Sequence, residues 1–245
     1  MNNQKHIHLH MQINMHTQNR NTKKTFQKKT KEITKMKINE IFYSIQGEGK
    51  WTGQPNIFIR TTGCNLRCAY CDTKYAYKNG KNMTITEITE KIKKYPCKKI
   101  CLTGGEPLEQ KETVQLIDAL IKENYEICLE TNGSKNIKQL VNKKNLLISL
   151  DIKCPSSEMH NKMKYENIKL LKQKDQIKFI IKNKEDCNHA KQIIKKYKTK
   201  CPIFFQPVWG TNPKNLAEWI LKDGLNVQLS LQLHKILWEE KARGV

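Results

Sequence analysis

The stretch that decides the fold is Asn56-Ile-Phe-Ile-Arg-Thr-Thr-Gly-Cys64-Asn-Leu-Arg-Cys68-Ala-Tyr-Cys71. Its first half has the apolar pattern of a short strand, and its second half is a polar loop with three cysteines. Three thiolates on one loop can bind a single soft metal centre. Zinc normally takes four protein ligands, often from two paired clusters, and no second CxxC pair occurs in the chain. Three cysteine ligands are what an iron–sulfur cube needs when one iron is left open, so the loop favours such a cluster over zinc.

Composition limits what kind of protein surrounds this loop. The chain has 245 residues, of which 38% are hydrophobic and 28% charged, which is enough for one α/β domain with a sizeable core. No run of about 18 apolar residues and no signal-peptide stretch is present, so we expect neither a membrane span nor export. Nine cysteines, of which only three are clustered, do not suit a secreted disulfide scaffold. We therefore predict a cytoplasmic protein.

The net charge of +22 has two interpretations. A strongly basic chain can be a nucleic-acid binder. Alternatively, the charge reflects a composition that is rich in Lys, Asn and Ile throughout. Nucleic-acid binders usually group Arg with aromatic residues, whereas Arg is scarce here and the lysines are scattered. We favour the second interpretation, so direct nucleic-acid binding is not expected.

Residues 1–35 differ from the rest of the chain. They hold four of the seven histidines, eight Lys or Arg and one acidic residue, with too few apolar residues for a core. This composition predicts a basic, disordered extension. The spaced His6, His8 and His10 could bind a metal, and a mis-assigned start codon is an equal alternative because Met36 opens a strand pattern. The functional domain is predicted to be 36–245.

From Met36 onward, short apolar segments alternate with amphipathic ones. Such alternation predicts parallel strands joined by crossover helices, and about six βα units favour a partial or full barrel over an open sheet. In the first helix, Thr84 or Thr86 can cap the start and Pro96 can end it. The predicted strands are 37–44, 56–62, 99–103, 125–131, 146–152, 175–182, 202–207 and 226–231, and the predicted helices are 86–95, 110–123, 157–171, 185–197 and 213–222.

Polar motifs follow several strands, at the edge where parallel α/β folds bind ligands. Gly104-Gly105-Glu106-Pro107 ends the strand at 99–103; its glycines expose backbone to a close ligand, and its carboxylate can accept hydrogen bonds. Two later strands end in Glu130-Thr-Asn-Gly133 and Ser149-Leu-Asp-Ile-Lys153. Each motif alone could be an ordinary turn or helix cap.

The cysteine loop together with Gly-Gly-Glu-Pro resembles the radical S-adenosylmethionine superfamily. Four further features are similar to the 7-carboxy-7-deazaguanine synthase family. They are Phe42-Tyr-Ser-Ile-Gln-Gly-Glu-Gly49, Arg60, the Asp72-Thr73 pair that follows Cys71, and a C-terminal Leu229-Ser-Leu-Gln-Leu-His-Lys235 with the ending Arg243-Gly-Val245. The resemblance covers nearly all of 36–245 and does not cover 1–35.

This resemblance implies a modified, incomplete (β/α) barrel that forms a homodimer. The implied reaction converts 6-carboxy-5,6,7,8-tetrahydropterin to 7-carboxy-7-deazaguanine with loss of ammonia, as a carbon–nitrogen lyase. The implied cofactors are a [4Fe–4S] cluster, S-adenosylmethionine and Mg²⁺, with a flavodoxin- or ferredoxin-type protein as reductant. The product would enter 7-deazapurine pathways, such as those that lead through preQ0 to queuosine or archaeosine in tRNA.

The resemblance also implies roles for individual residues. Cys64, Cys68 and Cys71 match the cluster ligands, and Thr73 matches the Mg²⁺ ligand. Arg60 is the expected partner of the pterin carboxylate, because its planar fork matches that group. The cofactor contacts would be Tyr70, Cys71, Asp72, Gly105, Glu106, Thr131, Asn132, Asp151, Ile152 and Lys153. The substrate contacts would be Ile45, Gln46, Gly47, Glu48, Arg60, Thr103 and His234.

Two positions depart from the family pattern. Asp151-Ile-Lys153 stands where many relatives have Ser-Pro-Lys, which leaves the roles of Asp151 and Ile152 open. The final Val245 differs from the proline that ends other members, so a substrate contact there is left open.

Two other functions compete with this interpretation. A different radical S-adenosylmethionine enzyme, such as a glycyl-radical-activating enzyme, would share the cysteine loop and Gly-Gly-Glu-Pro but would not need Gln46, Arg60 and Thr73 together. A zinc-stapled, basic tRNA-binding protein would be colourless, would contain zinc and would bind RNA with a steep salt dependence. Such a protein has no use for the polar motifs at the strand ends.

Overall fold

One mixed sheet organises the part of the chain that the computed structural model describes, residues 34–238 and 242–244. Its strands lie in the order β3-β1-β2-β4-β5-β6-β7-β8-β9. From β2 to β9 the neighbours are parallel, whereas β1 is antiparallel to both β2 and β3. The strands are β1 (Lys35–Ile45), β2 (Pro55–Thr61), β3 (Lys81–Thr84), β4 (Lys99–Gly104), β5 (Glu126–Thr131), β6 (Leu146–Ile152), β7 (Gln176–Ile181), β8 (Ile203–Pro207) and β9 (Gln228–Leu229).

Helices connect the parallel strands. The α-helices are α1 (Ile85–Ile92), α2 (Thr113–Lys122), α3 (Asn167–Leu170), α4 (Lys184–Lys196), α5 (Pro213–Lys222) and α6 (Leu233–Leu237). In α2, Leu116, Ile117 and Leu120 are fully buried, and this helix packs on β5. The apolar stripe of each long helix covers the sheet, so the core lies between helices and strands. Among these helices, none is long and apolar enough to cross a membrane.

The first helix begins at Ile85, one residue before the predicted start, and Thr84 is the one of the two predicted residues that caps it. The Thr84 hydroxyl accepts a hydrogen bond from the Glu87 amide at 3.1 Å, and the Glu87 carboxylate accepts one from the Thr84 amide at 2.6 Å. This reciprocal capping box satisfies two amides at the start of the helix. The helix ends at Ile92, earlier than the predicted residue 95 and before Pro96.

The α/β class and the predominance of parallel strands are confirmed, with one correction for the first strand. Residues 46–54 join β1 to β2 and are too few for a crossover helix, so the two strands form an antiparallel pair. From β2 onward the strand order is sequential, as in a barrel, but β3 and β9 remain separate edges. The sheet is therefore an incomplete barrel, in which the carboxyl ends of β2 and β4 to β8 meet at one rim.

One predicted helix is wrong. Instead of a helix over 157–171, the chain forms 3-10 turns at Pro155–Ser157 and His160–Lys162, followed by the short α3. Glu158 lies in the left-handed region at φ 62°, which interrupts any helix. The segment is held by tertiary bonds, since the Asn167 amide group donates to the carbonyls of Gly133 and Lys135.

Other element boundaries differ modestly from prediction. The strand predicted at 226–231 is reduced to β9, and the pattern of the sequence did not reveal β3 or α6. The predicted extension 1–35 and its histidine site fall almost entirely outside the described residues, and so does Val245. The domain boundary at residue 36 stays a prediction, and β1 begins one residue before it.

Candidate active site

A cavity of about 510 Å³ opens at the rim formed by the strand ends. Side chains from the loop after β1, from the cysteine loop and from β4 to β8 line it, together with the start of α6. All predicted site residues line this cavity except Glu106 and Ile152, which are buried behind its wall. Residues that lie far apart in the sequence thus converge on one site.

The cysteine loop forms one wall of the cavity. Cys64, Cys68 and Cys71 are partly buried, are not in disulfides and all line the cavity. Asn132, at the end of β5, holds the start of this loop, because its amide nitrogen lies 3.0 Å from the Asn65 side-chain oxygen and 3.7 Å from the Cys64 sulfur. The middle of the loop is tied down by a hydrogen bond of 3.1 Å from the Ala69 amide to the Ser157 carbonyl.

Three thiols on one loop are a donor set that suits an iron–sulfur cluster. Within 34–238 and 242–244, no three His, Cys, Asp or Glu side chains converge on one point as ligands of one ion would. In a cluster each cysteine binds a different iron, so the thiols need to surround the cluster rather than converge on one ion. Burial raises the pKa of the Cys64 and Cys68 thiols, and a bound cluster would hold them as thiolates.

Gly105 permits close contact between the cysteine loop and β4. A Cβ atom at this position would lie 2.1 Å from the carbonyl oxygen of Gly63 and 2.8 Å from the Cys64 Cβ. The neighbouring Gly104 has φ 143° and meets the backbone of Thr61 just as closely. The two glycines therefore let the strand end lie directly against the loop.

Glu106 organises the rim from behind. Its fully buried carboxylate accepts hydrogen bonds from the Leu108 amide (3.0 Å), the Thr131 hydroxyl (2.8 Å) and the Asn132 amide (2.6 Å). Burial raises the pKa of Glu106 to about 7, although these three bonds act to lower it. In this arrangement the side chain fixes β5 relative to β4, and the backbone around Gly105 faces the cavity.

The Gln46–Gly49 loop forms the opposite wall of the cavity. Neighbouring side chains leave no room for a Cβ atom at either of its two glycines. A Cβ atom on Gly47 would lie 2.2 Å from the His234 Nδ1 atom, and one on Gly49 would lie 2.2 Å from the Gln176 side-chain nitrogen. The Leu233 amide donates to the Gly47 carbonyl at 3.1 Å. The loop is thus held between the start of α6 and the start of β7.

A carboxylate–lysine cluster, formed by Glu48, Glu130, Asp151, Lys153 and Lys178, lies between the two walls. The Lys178 ammonium lies 2.7 Å from Glu48, 2.8 Å from Glu130 and 3.4 Å from Asp151. Lys153 pairs with Asp151 at 2.9 Å. Burial acts to raise the pKa of Glu48, but the charges of Lys178 and His234, together with hydrogen bonds from Lys178 and Gln232, outweigh it and hold that pKa well below its usual range. Sequence reasoning placed Glu130 in a polar motif at a strand end but gave it no role, and it missed Lys178, which belongs to no chemical motif.

Arg60 projects from β2 into the same cavity. Its Nε atom donates to Glu40 at 2.6 Å, and its guanidinium lies 5.7 Å from the ring centres of Phe42 and Tyr75. This contact orients the plane of the guanidinium and uses only one of its five N–H donors. The remaining donors can serve an anionic group in the cavity.

Asp72 and Thr73 lie where the cysteine loop meets α6. The Thr73 hydroxyl donates to Asp72 at 2.9 Å, and the Lys235 ammonium lies 2.7 Å from the other Asp72 oxygen. Tyr70, also on this loop, has a buried hydroxyl without a hydrogen-bond partner among the described residues. The loop thus presents polar oxygen atoms next to the cysteines.

Comparison with known proteins agrees with this geometry. Residues 58–198 match the model of the radical SAM superfamily. The chain is 35% identical to the 7-carboxy-7-deazaguanine synthase of Thermoplasma acidophilum, over 83% of this chain and 97% of the relative. It is 41% identical to the enzyme of that name from Clostridium acetobutylicum, over 85% of this chain and 99% of the relative.

A solved structure shares the fold. The crystal structure of QueE from Escherichia coli matches with a TM-score of 0.69 at 23% identity, over 82% of this chain and 95% of that one. The incomplete barrel is therefore the fold of an experimentally determined protein. From these matches, the chain belongs to the 7-carboxy-7-deazaguanine synthase family within the radical SAM superfamily.

Proposed function

We propose that this chain converts 6-carboxy-5,6,7,8-tetrahydropterin to 7-carboxy-7-deazaguanine, with loss of ammonia, in preQ0 biosynthesis. One observation carries the proposal: a single cavity joins the three-cysteine loop to Arg60 and to the Gln46–Gly49 loop. The first set suits a cluster, and the second suits a small planar substrate with a carboxylate. The names of the relatives support the same reaction.

The residues divide between cofactor and substrate. Cys64, Cys68 and Cys71 would hold the [4Fe–4S] cluster, and the backbone near Gly105 would face S-adenosylmethionine. When bound, these two groups supply radical chemistry that side chains lack. The protein contributes orientation and a partly enclosed cavity that excludes water from reactive species. Arg60 would bind the substrate carboxylate, while Gln46 and Glu48 would bind the polar edge of the pterin.

Thr73 is proposed as the Mg²⁺ ligand, next to the substrate. Mg²⁺ prefers oxygen ligands and usually keeps several waters, so one protein hydroxyl plus substrate and water is a suitable set. The Thr73 hydroxyl donates its proton to the Asp72 carboxylate, which leaves the lone pairs of the Thr73 oxygen for a cation. Both residues line the cavity.

The cellular setting is also part of the proposal. All nine cysteines are free, which suits a reducing cytoplasm. A flavodoxin- or ferredoxin-type protein would supply the electron, and the working form would be a homodimer, as the family resemblance implies.

Anaerobic turnover tests the proposed function directly. The protein would be reconstituted with iron and sulfide, then mixed with S-adenosylmethionine, reductant, Mg²⁺ and 6-carboxytetrahydropterin. Mass spectrometry is expected to detect 7-carboxy-7-deazaguanine. Cleavage of S-adenosylmethionine without this product would favour another radical enzyme, such as a glycyl-radical-activating enzyme. A colourless protein that contains zinc would favour the tRNA-binding alternative.

Replacing Arg60 with lysine is expected to raise KM for the pterin about 10- to 100-fold, since hydrogen bonds to a charged group contribute about 1.5–3 kcal/mol. Lysine keeps the charge but loses the planar fork that matches a carboxylate. KM and kcat would be measured at saturating S-adenosylmethionine. Cleavage of S-adenosylmethionine without substrate should be unchanged and serves as the internal control. An unchanged KM would show that Arg60 does not bind the substrate.

Replacing Gly47 with alanine is expected to raise KM for the pterin about 10- to 100-fold, the scale of a 1 Å misplacement in an active site. The added methyl group would overlap His234, including its backbone nitrogen, and would push α6 away from the Gln46–Gly49 loop. Gly224→Ala is the control, because a Cβ there meets nothing within 4 Å and Gly224 does not line the cavity; its φ of 56° adds local backbone strain without displacing the site. Equal KM values for the two variants would contradict this role for Gly47.

A further inference from the structure

Lys178 connects three elements of the site at one point. Its side chain extends from β7 and is only 4% exposed. It donates a hydrogen bond to Glu48 on the loop after β1, and its ammonium also lies against Glu130 at the end of β5 and Asp151 at the end of β6. Burying an ammonium carries a desolvation cost that nearby opposite charges offset, and here three carboxylates surround it. These contacts fix the side chains of Lys178 and the three carboxylates relative to one another.

Glu48 is the member of this cluster that is most completely held. One of its oxygens accepts from Lys178 at 2.7 Å, and the other accepts from the amides of Gln206 (3.0 Å) and Gln232 (2.9 Å). A carboxylate has about four acceptor positions, so one remains free. Since Glu48 lines the cavity, the free position is available to a donor on a ligand.

The Lys178 contact differs from those of the two glutamines. Neutral amides can donate to either protonation state of a carboxyl group, whereas an ammonium at 2.7 Å favours the ionised state alone. Only the ionised state is purely an acceptor, as the N–H edge of an aminopyrimidine requires. The lysine thus controls both the place and the charge of Glu48.

We propose that Lys178 is a positioning residue for the reaction: it holds Glu48 as a fixed, ionised acceptor for the N–H edge of the substrate. This inference rests on the proposed function, because it takes the pterin as the ligand. Lys178 itself need not touch the substrate. The charged and titratable groups that act on Glu48 are Lys178 from β7, Glu130 from β5, His234 from α6 and Asp72 from the cysteine loop. Asp151 from β6 acts on Lys178, and Lys235 from α6 acts on Asp72 and His234.

The test compares Lys178→Met with the wild-type holoenzyme. We expect KM for the pterin to rise at least tenfold, with a smaller change in kcat. We also expect the acidic limb of the kcat/KM pH profile to move to higher pH, because Glu48 without its ammonium takes up a proton more readily. Lys178→Arg, which keeps the charge, should restore the wild-type position of that limb. A wild-type KM and pH profile in Lys178→Met would overturn the proposal.

Thermal unfolding gives a second readout that needs no turnover. In the wild type, the lowered pKa of Glu48 contributes stability that is present above the unfolded pKa and is lost as pH falls. In Lys178→Met, carboxyl pKa values are raised in the folded state, so stability falls as pH rises through their range. The unfolding temperature of Lys178→Met should therefore lie closer to that of the wild type at pH 5 than at pH 8. A difference in unfolding temperature that is the same at both pH values would overturn the proposal.

One further variant is a control, and a second replaces Lys178→Met if that variant does not fold. Lys191→Met removes a surface ion pair with Asp223 and should leave KM and the pH profile unchanged. If Lys178→Met does not fold, Lys178→Met combined with Glu130→Gln restores the net charge of the cluster, and Glu130→Gln alone is its reference. A KM for the double variant equal to that of the reference would overturn the proposal. Absence of product from the wild type would instead count against the proposed function.

Discussion

Replacing Cys68 with alanine is expected to give a folded protein that assembles no stable cluster and forms no product. Cys68 lies in the middle of the cysteine loop, is partly buried and belongs to no strand or helix. Losing its side chain should therefore barely affect the core. The radical chemistry should be lost, because three thiolates are the ligands that this loop offers to the cluster. Iron content, visible absorption and product formation would be measured after reconstitution.

A buried cysteine supplies the matched control for this variant. Cys187 lies in α4, is fully buried and is outside the cavity. Cys187→Ala should lower the unfolding temperature through a small internal gap while keeping iron and activity. Cys68→Ala should instead keep an unfolding temperature close to that of the wild type and lose both iron and activity. A full complement of iron with normal turnover in Cys68→Ala would refute the assignment of the cysteine loop as the cluster site.

Replacing Gly105 with alanine is expected to disrupt cluster assembly as strongly as Cys68→Ala does. The cause would be displacement of the cysteine loop rather than loss of a ligand. The new methyl group would lie 2.1 Å from the Gly63 carbonyl oxygen, far inside van der Waals contact. The overlap is with backbone, so neither a rotamer change nor a flexible side chain can relieve it. The cysteine loop must shift away from β4, with an expected loss of stability of about 1–3 kcal/mol. Circular dichroism melts and iron content would be measured on the same samples.

Gly210→Ala separates loop displacement from a general loss of stability. Gly210 has φ 85°, and a Cβ atom added there would have no neighbour within 4 Å. Alanine at this position therefore costs only the left-handed strain of about 1–2 kcal/mol. The two variants should have similar unfolding temperatures. Only Gly105→Ala should lose iron, and equal iron contents would show that the contact between β4 and the loop does not support the cluster.

Much of the fold could be predicted because the strands have strong local signals. The apolar run 146–152 is a strand at those residues in the structure, and Thr84 caps its helix through a side chain that the pattern identified. The helix predicted at 157–171 does not form, because hydrogen bonds from Asn167 to a distant part of the chain outweigh the local helical preference. The antiparallel β1 was missed because apolar periodicity does not indicate strand direction.

The site was predicted to the extent that its residues belong to motifs. The cysteines and Gly104-Gly105 have spacings that chemistry requires, and the structure places them on one cavity. Lys178 could not be found in this way. It lies within Gln176–Ile181, a strand of mostly apolar residues in a lysine-rich chain, and only the packing of β7 beside β6 brings it to Asp151. Its significance depends on three carboxylates from other elements.

The contact between α6 and the first loop has a consequence for synthesis of the protein. Gln232 reaches Glu48 across 184 positions of sequence, and Leu233 binds the backbone of Gly47. During translation, β1 to β8 can emerge from the ribosome and pair before residues 232–235 are released. The nascent chain then carries the cysteine loop while the pocket still lacks one wall. Closure of the pocket thus follows β1 to β8 in the order of synthesis, and a product truncated before residue 232 would keep these strands but lack one wall of the binding site.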